Sequence, residues 1–254
     1  MNRARVGGRW LEVAPERFPR WIASFGERHG ADPLGLSVTV AVTTEDVTFT
    51  APDGAIAKCL PPFWGRRAAH AGTSPDETAR AIASHALAER TVGVLLVRLG
   101  GYAAGVFTGS PPALAAHKTG SRLVHGRSAA GGWSQQRFAR RREKQASEAL
   151  RAAAGAAAEV FGRWGDGTIR SGDKNSAAAS GPRAGGTRGT GLDVVVLGGD
   201  KRAVADVSGD PRLAPYLELA TDRFLTVPDP KLVVLRNAPR LFLAVRIFLT
   251  EPAS

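Results

Sequence analysis

The pattern of apolar and polar positions predicts both helices and strands in the N-terminal part of the chain. Residues 9–29 carry apolar side chains at the spacing of an amphipathic helix, and Pro19 indicates that its regular part begins near residues 16–20. Residues 36–43, 47–51 and 55–60 alternate between apolar and polar side chains, as half-buried strands do. Residues 77–90 return to helical spacing. We therefore predict a small α+β region over residues 1–88.

The middle of the chain has the strongest strand pattern and the longest helical pattern. Residues 92–97 form a nearly continuous apolar run, which is typical of a strand covered on both faces. A glycine turn leads to a second predicted strand at 102–108, and residues 121–125 are a candidate third strand. Residues 135–163 form an Ala-rich amphipathic pattern, with Ser134 as its candidate N-cap. We therefore predict a single long helix there.

The C-terminal third begins with a glycine-rich segment. Residues 165–190 contain seven Gly and few large apolar side chains, so we predict a disordered insertion. Further strands are predicted at 192–197, 223–227, 232–235 and 241–249, and helices at 201–206 and 211–220. Because strands and helices alternate along the chain, the predicted fold class is α/β.

Composition narrows the class of protein. The chain has 254 residues and 43% apolar residues, enough for a sizeable core. It contains one cysteine, Cys59, which excludes an internal disulfide framework and a cysteine-rich zinc site. No apolar run reaches the roughly 18 residues of a membrane-spanning helix, and the N-terminus lacks a secretory pattern. We therefore expect a cytoplasmic protein without a membrane partner, and we predict no metal and no cofactor.

The charge indicates an acidic partner. The net charge is +11 and the isoelectric point is about 10.9. Between His117 and Arg163 there are ten Lys and Arg residues against three acids, which supplies +7 of that charge. A solvated helix face and a bias towards Arg, Ala and Gly would raise the total charge but do not explain the clustering. The clustering favours nucleic acid as the partner.

The candidate chemistry lies at the start of the long helix. Gly131 and Gly132 form a sterically open tip, and the tip leads into a helix N-terminus whose free N–H groups suit an anion. Glutamine has no useful pKa, but its amide can position a water and stabilise a tetrahedral intermediate. From the residues alone, a common glycine turn before a capped helix explains the pattern equally well.

A family resemblance adds the chemistry. The central domain of eukaryotic and archaeal class-1 translation release factors carries Gly-Gly-Gln-Ser-Ala-Leu-Arg-Phe-Ala-Arg-Leu-Arg, and this chain resembles it at eight of twelve positions. The segment here reads Gly131-Gly132-Trp133-Ser134-Gln135-Gln136-Arg137-Phe138-Ala139-Arg140-Arg141-Arg142. The surrounding order of strands, a His-Lys-Thr segment and a long helix is also similar. The chain looks closest to the actinobacterial branch of the Vms-like release factors, whose tip reads Gly-Gly-x-Ser-Gln-Gln.

The resemblance covers roughly residues 90–220 and implies an RNase H-like mixed sheet with flanking helices, as in the release-factor central domain. We therefore divide the chain into the N-terminal region, residues 1–88, and a catalytic region, residues 89–254, which holds the insertion at 165–190. No counterpart of a stop-codon-reading domain is evident in residues 1–88. This absence favours rescue of stalled nascent chains over ordinary termination.

The resemblance also implies the site residues. The glutamine of ordinary release factors falls on Trp133, so the catalytic role moves to Gln135, which we favour, or to Gln136. Gly131 and Gly132 would let the tip reach the ester. The expected RNA contacts are Trp133, Arg137, Arg140, Arg141, Arg142, Lys144, Lys118, Arg122 and Arg127.

The resulting hypothesis is a peptidyl-tRNA hydrolase that acts as a monomer on the large ribosomal subunit, contacting rRNA and peptidyl-tRNA. Two alternatives remain open: an endonuclease acting on the tRNA 3′ end or on mRNA, and a non-catalytic ribosome or RNA binder. Two weaker patterns compete with this site. A Ser134–histidine triad lacks the nucleophile-elbow sequence, and Gly198-Gly199-Asp200 lacks the full phosphate-loop spacing, so we interpret it as a strand–helix turn.

Overall fold

The computed structural model describes residues 7–30, 37–65, 74–121, 134–167 and 190–252, and for 134–144 it describes the backbone alone. These ranges form two compact units, one made of Met1–Ala88 with Arg240–Ser254 and the other of Glu89–Pro239. Each unit has a five-stranded sheet. The predicted α/β class is confirmed. No helix in the described ranges is long and apolar enough to cross a bilayer.

The elements are numbered in chain order. The strands are β1 Gly8–Val13, β2 Thr39–Val42, β3 Val47–Thr50, β4 Ile56–Leu60, β5 Val92–Arg98, β6 Gly101–Thr108, β7 Ala113–Ser121, β8 Val194–Gly199, β9 Ala220–Leu225 and β10 Val245–Thr250. The helices are α1 Phe18–His29, α2 Pro75–Leu87, α3 Ser134–Gly165, α4 Lys201–Ser208, α5 Ala214–Leu217 and α6 Leu232–Phe242.

The first unit is an antiparallel sheet with two helices packed on one face. Its strand order is β1-β10-β4-β3-β2. The inward side chains of the strands, such as Phe49 and Ile247, form one core with Phe18 and Phe25 of α1 and Ile82 of α2. The sequence fixes the start of α2 locally, because a Ser74–Glu77 capping box satisfies two free N–H groups there.

The first strand corrects the prediction of one helix over residues 9–29. Residues Gly8–Val13 form β1, which pairs antiparallel with β10, and the helix proper begins at Phe18 after a 3-10 turn at Pro15–Arg17. The pairing partner lies more than 230 residues later in the chain, as the register Val13↔Val245 shows. A local pattern cannot reveal a strand that is defined by such a distant partner.

The last strand changes the division of the chain. The sequence-based division assigns residues 240–254 to the second region, but β10 lies between β1 and β4 in the first sheet. The strand predicted at 241–249 is present as Val245–Thr250, with Val245, Ile247 and Leu249 buried, whereas residues 241–242 end helix α6. The alternation gives the burial of its two faces and does not tell which sheet the strand joins.

The second unit is a mixed sheet covered on both faces. Its strand order is β7-β6-β5-β8-β9, with antiparallel pairs from β7 to β5 and parallel pairs from β5 to β9. Residues of α3 and α4 form a core with one face. On the other face α6 lies close to the sheet, since a Cβ on Gly105 would lie 2.9 Å from Leu235 Cδ2 of α6. This mixed sheet with flanking helices is the fold that the resemblance implied.

Two elements of this unit differ from the prediction. Strand β7 at Ala113–Ser121 was not predicted, because pairing with β6 holds an Ala-rich segment of weak strand propensity. The candidate strand at 121–125 shares Ser121 with β7, and its other residues lie outside the described ones. Residues 232–235 belong to helix α6 rather than to a strand, since a short apolar run fits both structures. The predicted insertion lies almost entirely at 168–189, outside the described residues.

Candidate functional site

The predicted tip lies between two described elements of the second unit. β7 ends at Ser121 and α3 begins at Ser134. Gly131, Gly132 and Trp133 fall between them, as do the predicted RNA contacts Arg122 and Arg127, and all of these lie outside the described residues. The helix begins within one residue of its predicted start.

Helix α3 carries the candidate glutamines near its N-terminus, and we call this helix the arm. It runs for 32 residues, or about 48 Å at the rise of an α-helix. Among its described side chains, Leu150 is the first that packs against the core of this unit, and Ser134 lies about 24 Å from it along the axis. Gln135 and Gln136 are therefore in the first turn of a continuous helix whose opposite half is embedded in the sheet.

The embedded half of α3 packs closely because its buried face has small side chains first and large ones towards its end. Ala153 and Ala157 are fully buried against the sheet, and the larger Phe161 and Trp164 follow them along the helix. The sheet makes room with Gly93, where a Cβ would lie 3.3 Å from the Phe161 ring. Such packing fixes the direction of the helix relative to the sheet.

The end of α3 is tied to the start of β8. The indole N–H of Trp164 donates a hydrogen bond to the Gly191 carbonyl oxygen at 3.2 Å. Gly191 has a φ of 64° and passes so close that a Cβ there would lie 3.2 Å from Gly165 Cα. Trp164 and Gly191 therefore lie beside each other, although the predicted insertion separates them in the chain. After the insertion the chain forms β8 of the same sheet.

An ion pair joins β7 to α3 below the tip. Lys118 Nζ, one of the predicted RNA contacts, donates a hydrogen bond to a carboxylate oxygen of Glu159. This bond raises the pKa of Lys118 and, from the other side, lowers the pKa of Glu159. Arg163 lies 3.8 Å from the second carboxylate oxygen. Sequence reasoning missed Glu159, because 41 residues separate it from Lys118.

The charge of Lys118 is therefore partly balanced within the protein. Its side chain remains 45% exposed, so the ammonium group is still accessible from solvent. The neighbouring His117 behaves differently: partial burial, and then the charge of Arg236 on α6, lower the pKa of the imidazole. His117 is thus neutral at pH 7, and Lys118 is the charged residue of the His-Lys-Thr segment.

Comparison with known proteins identifies the family. The family model described as the Actinobacteria/chloroflexi VLRF1 release factor matches residues 90–248, more than half of the chain. The chain belongs to this family. The match spans nearly all of the three described parts of the second unit and the tip between the first two. This membership places the chain among the release-factor proteins.

Among solved structures, the release factor is similar to an archaeal translation termination factor, aRF1, at 11% identity and a TM-score of 0.38. The alignment covers 91% of this chain and 62% of the archaeal one, so the release factor spans less than two thirds of that protein. None of the curated proteins compared with the chain matches it in sequence.

The competing candidate sites of the release factor have structural roles where they are described. His85 contacts the Phe63 carbonyl oxygen at 3.0 Å and packs edge-on against Trp64 in the first unit. Asp200 accepts a hydrogen bond at 2.8 Å from the backbone N–H of Ala203, so a carboxylate occupies the N-terminus of α4. The interpretation of Gly198-Gly199-Asp200 as a strand–helix turn is thereby supported.

A groove of about 620 Å³ runs beside the described half of the arm, between α3 and α4. Leu99, Leu150 and Val207 contribute to its apolar wall, and Arg151 and Arg202 also line it. Sequence reasoning had assigned neither arginine to a site. Asp200, Asp206 and Asp210 line it as well, so the acids of this groove outnumber its two arginines.

Proposed function

We propose that this release factor hydrolyses the ester of peptidyl-tRNA on the large ribosomal subunit and thereby releases nascent chains from stalled subunits. The observation that supports the proposal is the arm. One continuous helix is embedded in the core by its C-terminal half and has Gln135 and Gln136 in its first turn. A tip at the end of such a helix can enter a narrow cavity while the sheet remains outside.

The chemistry needs a positioned water and a place for negative charge. Water attacks the ester carbonyl carbon, the tetrahedral intermediate places negative charge on the carbonyl oxygen, and the tRNA ribose hydroxyl leaves with a proton. The free N–H groups and positive dipole end at the start of α3 favour that negative charge. Gln135 is proposed to orient the water, with Gln136 as the alternative, because an amide can donate and accept simultaneously.

The proposed RNA contacts follow the tip. Trp133 stacks on a base, and the cations beyond it contact phosphates of rRNA or tRNA. These cations are Arg137, Arg140, Arg141, Arg142 and Lys144 along the helix, Arg122 and Arg127 before the tip, and Lys118 on β7. The protein is proposed to act in the cytoplasm as a monomer.

The decisive experiment measures release of labelled peptide from peptidyl-tRNA bound to large subunits. Gln135→Ala is expected to slow release by about a hundredfold, the size of effect seen when one donor to an oxyanion is removed. Gln136→Ala is the second variant, and Gln145→Ala, further along the same helix, is the matched control that should release peptide like the wild type. Wild-type rates in both tip variants would refute the mechanism.

The tRNA product separates the hydrolase from a nuclease. Ester hydrolysis leaves a full-length tRNA with an intact 3′ end, whereas cleavage of a phosphodiester leaves a shortened one. We expect a full-length tRNA on a denaturing gel. A shortened tRNA that depends on Gln135 would assign the tip to nuclease chemistry instead.

A further inference from the structure

Among the proposed RNA contacts, Lys118 on β7 is the one whose side chain lies in the described part of the chain. It has a partner there, because its Nζ donates a hydrogen bond to a carboxylate oxygen of Glu159 on α3. β7 ends at Ser121, three residues later, and the chain then enters the tip. A cation that is proposed to meet a phosphate beside the tip is therefore already bound to a carboxylate of the protein.

Glu159 has a second cationic partner. Its other carboxylate oxygen lies 3.8 Å from Nη1 of Arg163, four residues later on the same helix. The two cations approach the carboxylate from different elements, Lys118 from β7 and Arg163 from α3. Residues four apart on a helix remain neighbours whatever β7 binds. Glu159 can therefore release Lys118 and still have Arg163 as its counterion.

All three charged side chains are open to solvent. Lys118 is 45% exposed, Glu159 44% and Arg163 52%. Ion pairs with this exposure contribute little to stability, because water screens each charge. The bond between Lys118 and Glu159 is therefore weak enough for another anion to replace the carboxylate, and solvent access lets that anion reach the ammonium group.

Glu159 is the carboxylate that acts on the charge of Lys118 within the described residues. The hydrogen bond to Glu159 raises the pKa of Lys118, and Tyr102 on the neighbouring β6 raises it as well. Burial and the charge of Arg163 lower the pKa of Lys118, but the rise prevails. One acid thus controls how much positive charge Lys118 presents to a ligand.

We propose that Glu159 competes with RNA for Lys118. In the free protein the carboxylate binds the ammonium group, and a phosphate of bound RNA takes its place while Glu159 retains Arg163. Phosphate and carboxylate oxygens are both anionic acceptors, so the same ammonium group can donate to either. Glu159 thereby lowers the affinity for RNA, and firm binding requires the further contacts at the tip. The inference rests on the proposed function in one respect, that Lys118 contacts RNA.

The test is a double-mutant cycle on the affinity of the full chain for labelled deacylated tRNA, measured by fluorescence anisotropy at low salt. Glu159→Gln removes the charge but keeps the side-chain length and the helix propensity. It should strengthen binding about threefold, because a negative charge close to the bound phosphate is removed. This gain should disappear when Lys118→Gln is also present, since the two side chains act through one contact.

The matched control is Glu218→Gln, which removes an exposed acid at the C-cap of α5 in the same unit. It changes the net charge equally and should alter the affinity by less than about twofold, because salt screens distant charges. Salt dependence gives a second readout. Glu159→Gln should steepen the slope of log affinity against log salt by up to about one, since Lys118 then neutralises a phosphate fully. Circular dichroism establishes that each variant is folded.

Unchanged affinity in Glu159→Gln would overturn the proposal, and so would an equal gain in the Lys118→Gln background, which indicates general repulsion. Weaker binding by Glu159→Gln would also overturn it, because Glu159 would then position Lys118 for RNA. The result is independent of the release assay. A protein that shows this cycle but releases no peptide would contradict the proposed hydrolysis alone, and peptide release without the cycle would contradict the competition alone.

Discussion

The two sheets of this release factor differ in how many of their faces are covered. In the second unit every residue of β5 from Val92 to Val97 is buried, because helices lie on both sides. In the first unit β4 alternates between exposed and buried residues, and the helices pack on one side. A sheet covered twice can hold a long helix firmly, whereas a sheet covered once leaves a face exposed.

The difference is clearest for two tryptophans, one in each unit. Trp164 is fully buried and donates a hydrogen bond, so Trp164→Ala should lower the free energy of unfolding by about 4 kcal/mol. Trp10→Ala should cost about 1 kcal/mol, since its ring is half exposed. Urea denaturation followed by circular dichroism measures both values, and equal losses would break the comparison.

Two glycines with positive φ, one in each unit, test whether the backbone of the second unit is more tightly packed than that of the first. Gly199 of β8 has a φ of 107°, and a Cβ there would lie 2.1 Å from the Val97 carbonyl oxygen. Gly199→Ala therefore combines strain with a backbone collision and should cost about 3 kcal/mol. Gly54 in the first unit has a φ of 92° but open space around it, so Gly54→Ala should cost about 1 kcal/mol.

The unfolding free energies of the two alanine variants come from the same denaturation experiment. Both variants include the cost of a positive φ. The difference between their unfolding free energies therefore gives the cost of the collision between β8 and β5. If Gly54→Ala proved as costly as Gly199→Ala, the tight packing assigned to the second sheet would not be the cause.

The smallest expected effect is on acid stability. Burial would raise the pKa of Asp53 in the first unit, but hydrogen bonds from the Ala55 N–H and the His29 ring lower it overall. In the second unit, hydrogen bonds from Arg212 lower the pKa of Asp210 to about 2. Each carboxylate stabilises the fold above its unfolded pKa of about 3.9, and this contribution is lost as the pH falls through the folded pKa.

Melting temperatures measured from about pH 5 to about pH 2 test this pair. Asp210→Asn should flatten the acid-induced decrease over the whole interval below about pH 4, and Asp53→Asn over a narrower interval. Asp210→Asn should not change the melting temperature difference between about pH 6 and about pH 8, where this carboxylate is ionised. A slope identical to that of the wild type in Asp210→Asn would contradict the assignment.

The sequence predicted the elements whose patterns are complete within themselves. Two apolar runs form the strands β5 and β8 at the expected places. The long amphipathic pattern forms the helix α3. β1 was lost inside a predicted helix because its partner is distant, and the Ala-rich β7 depends on pairing with β6. Local patterns describe burial, and pairing is a property of the assembled sheet.

The candidate site also has a part that local patterns predict and a part that depends on contacts between distant residues. The sequence located the start of α3, and the helix begins there, with the two candidate glutamines in its first turn. It did not indicate that Glu159 binds Lys118, since the contact requires α3 to lie beside β7. The assignment of Gln135 as the catalytic residue rests on the resemblance and stays a prediction. The contact of Trp10 with Phe248 was also hidden, because Trp10 falls inside a predicted helix.

The position of β10 has a consequence for synthesis of the protein. This strand lies between β1 and β4, yet it follows the whole second unit in the chain. During translation, the second unit therefore leaves the ribosome before β1 can meet its neighbour in the sheet. The arm can acquire its anchored form first, while the first sheet waits for its middle strand, so the contact between Trp10 and Phe248 forms last.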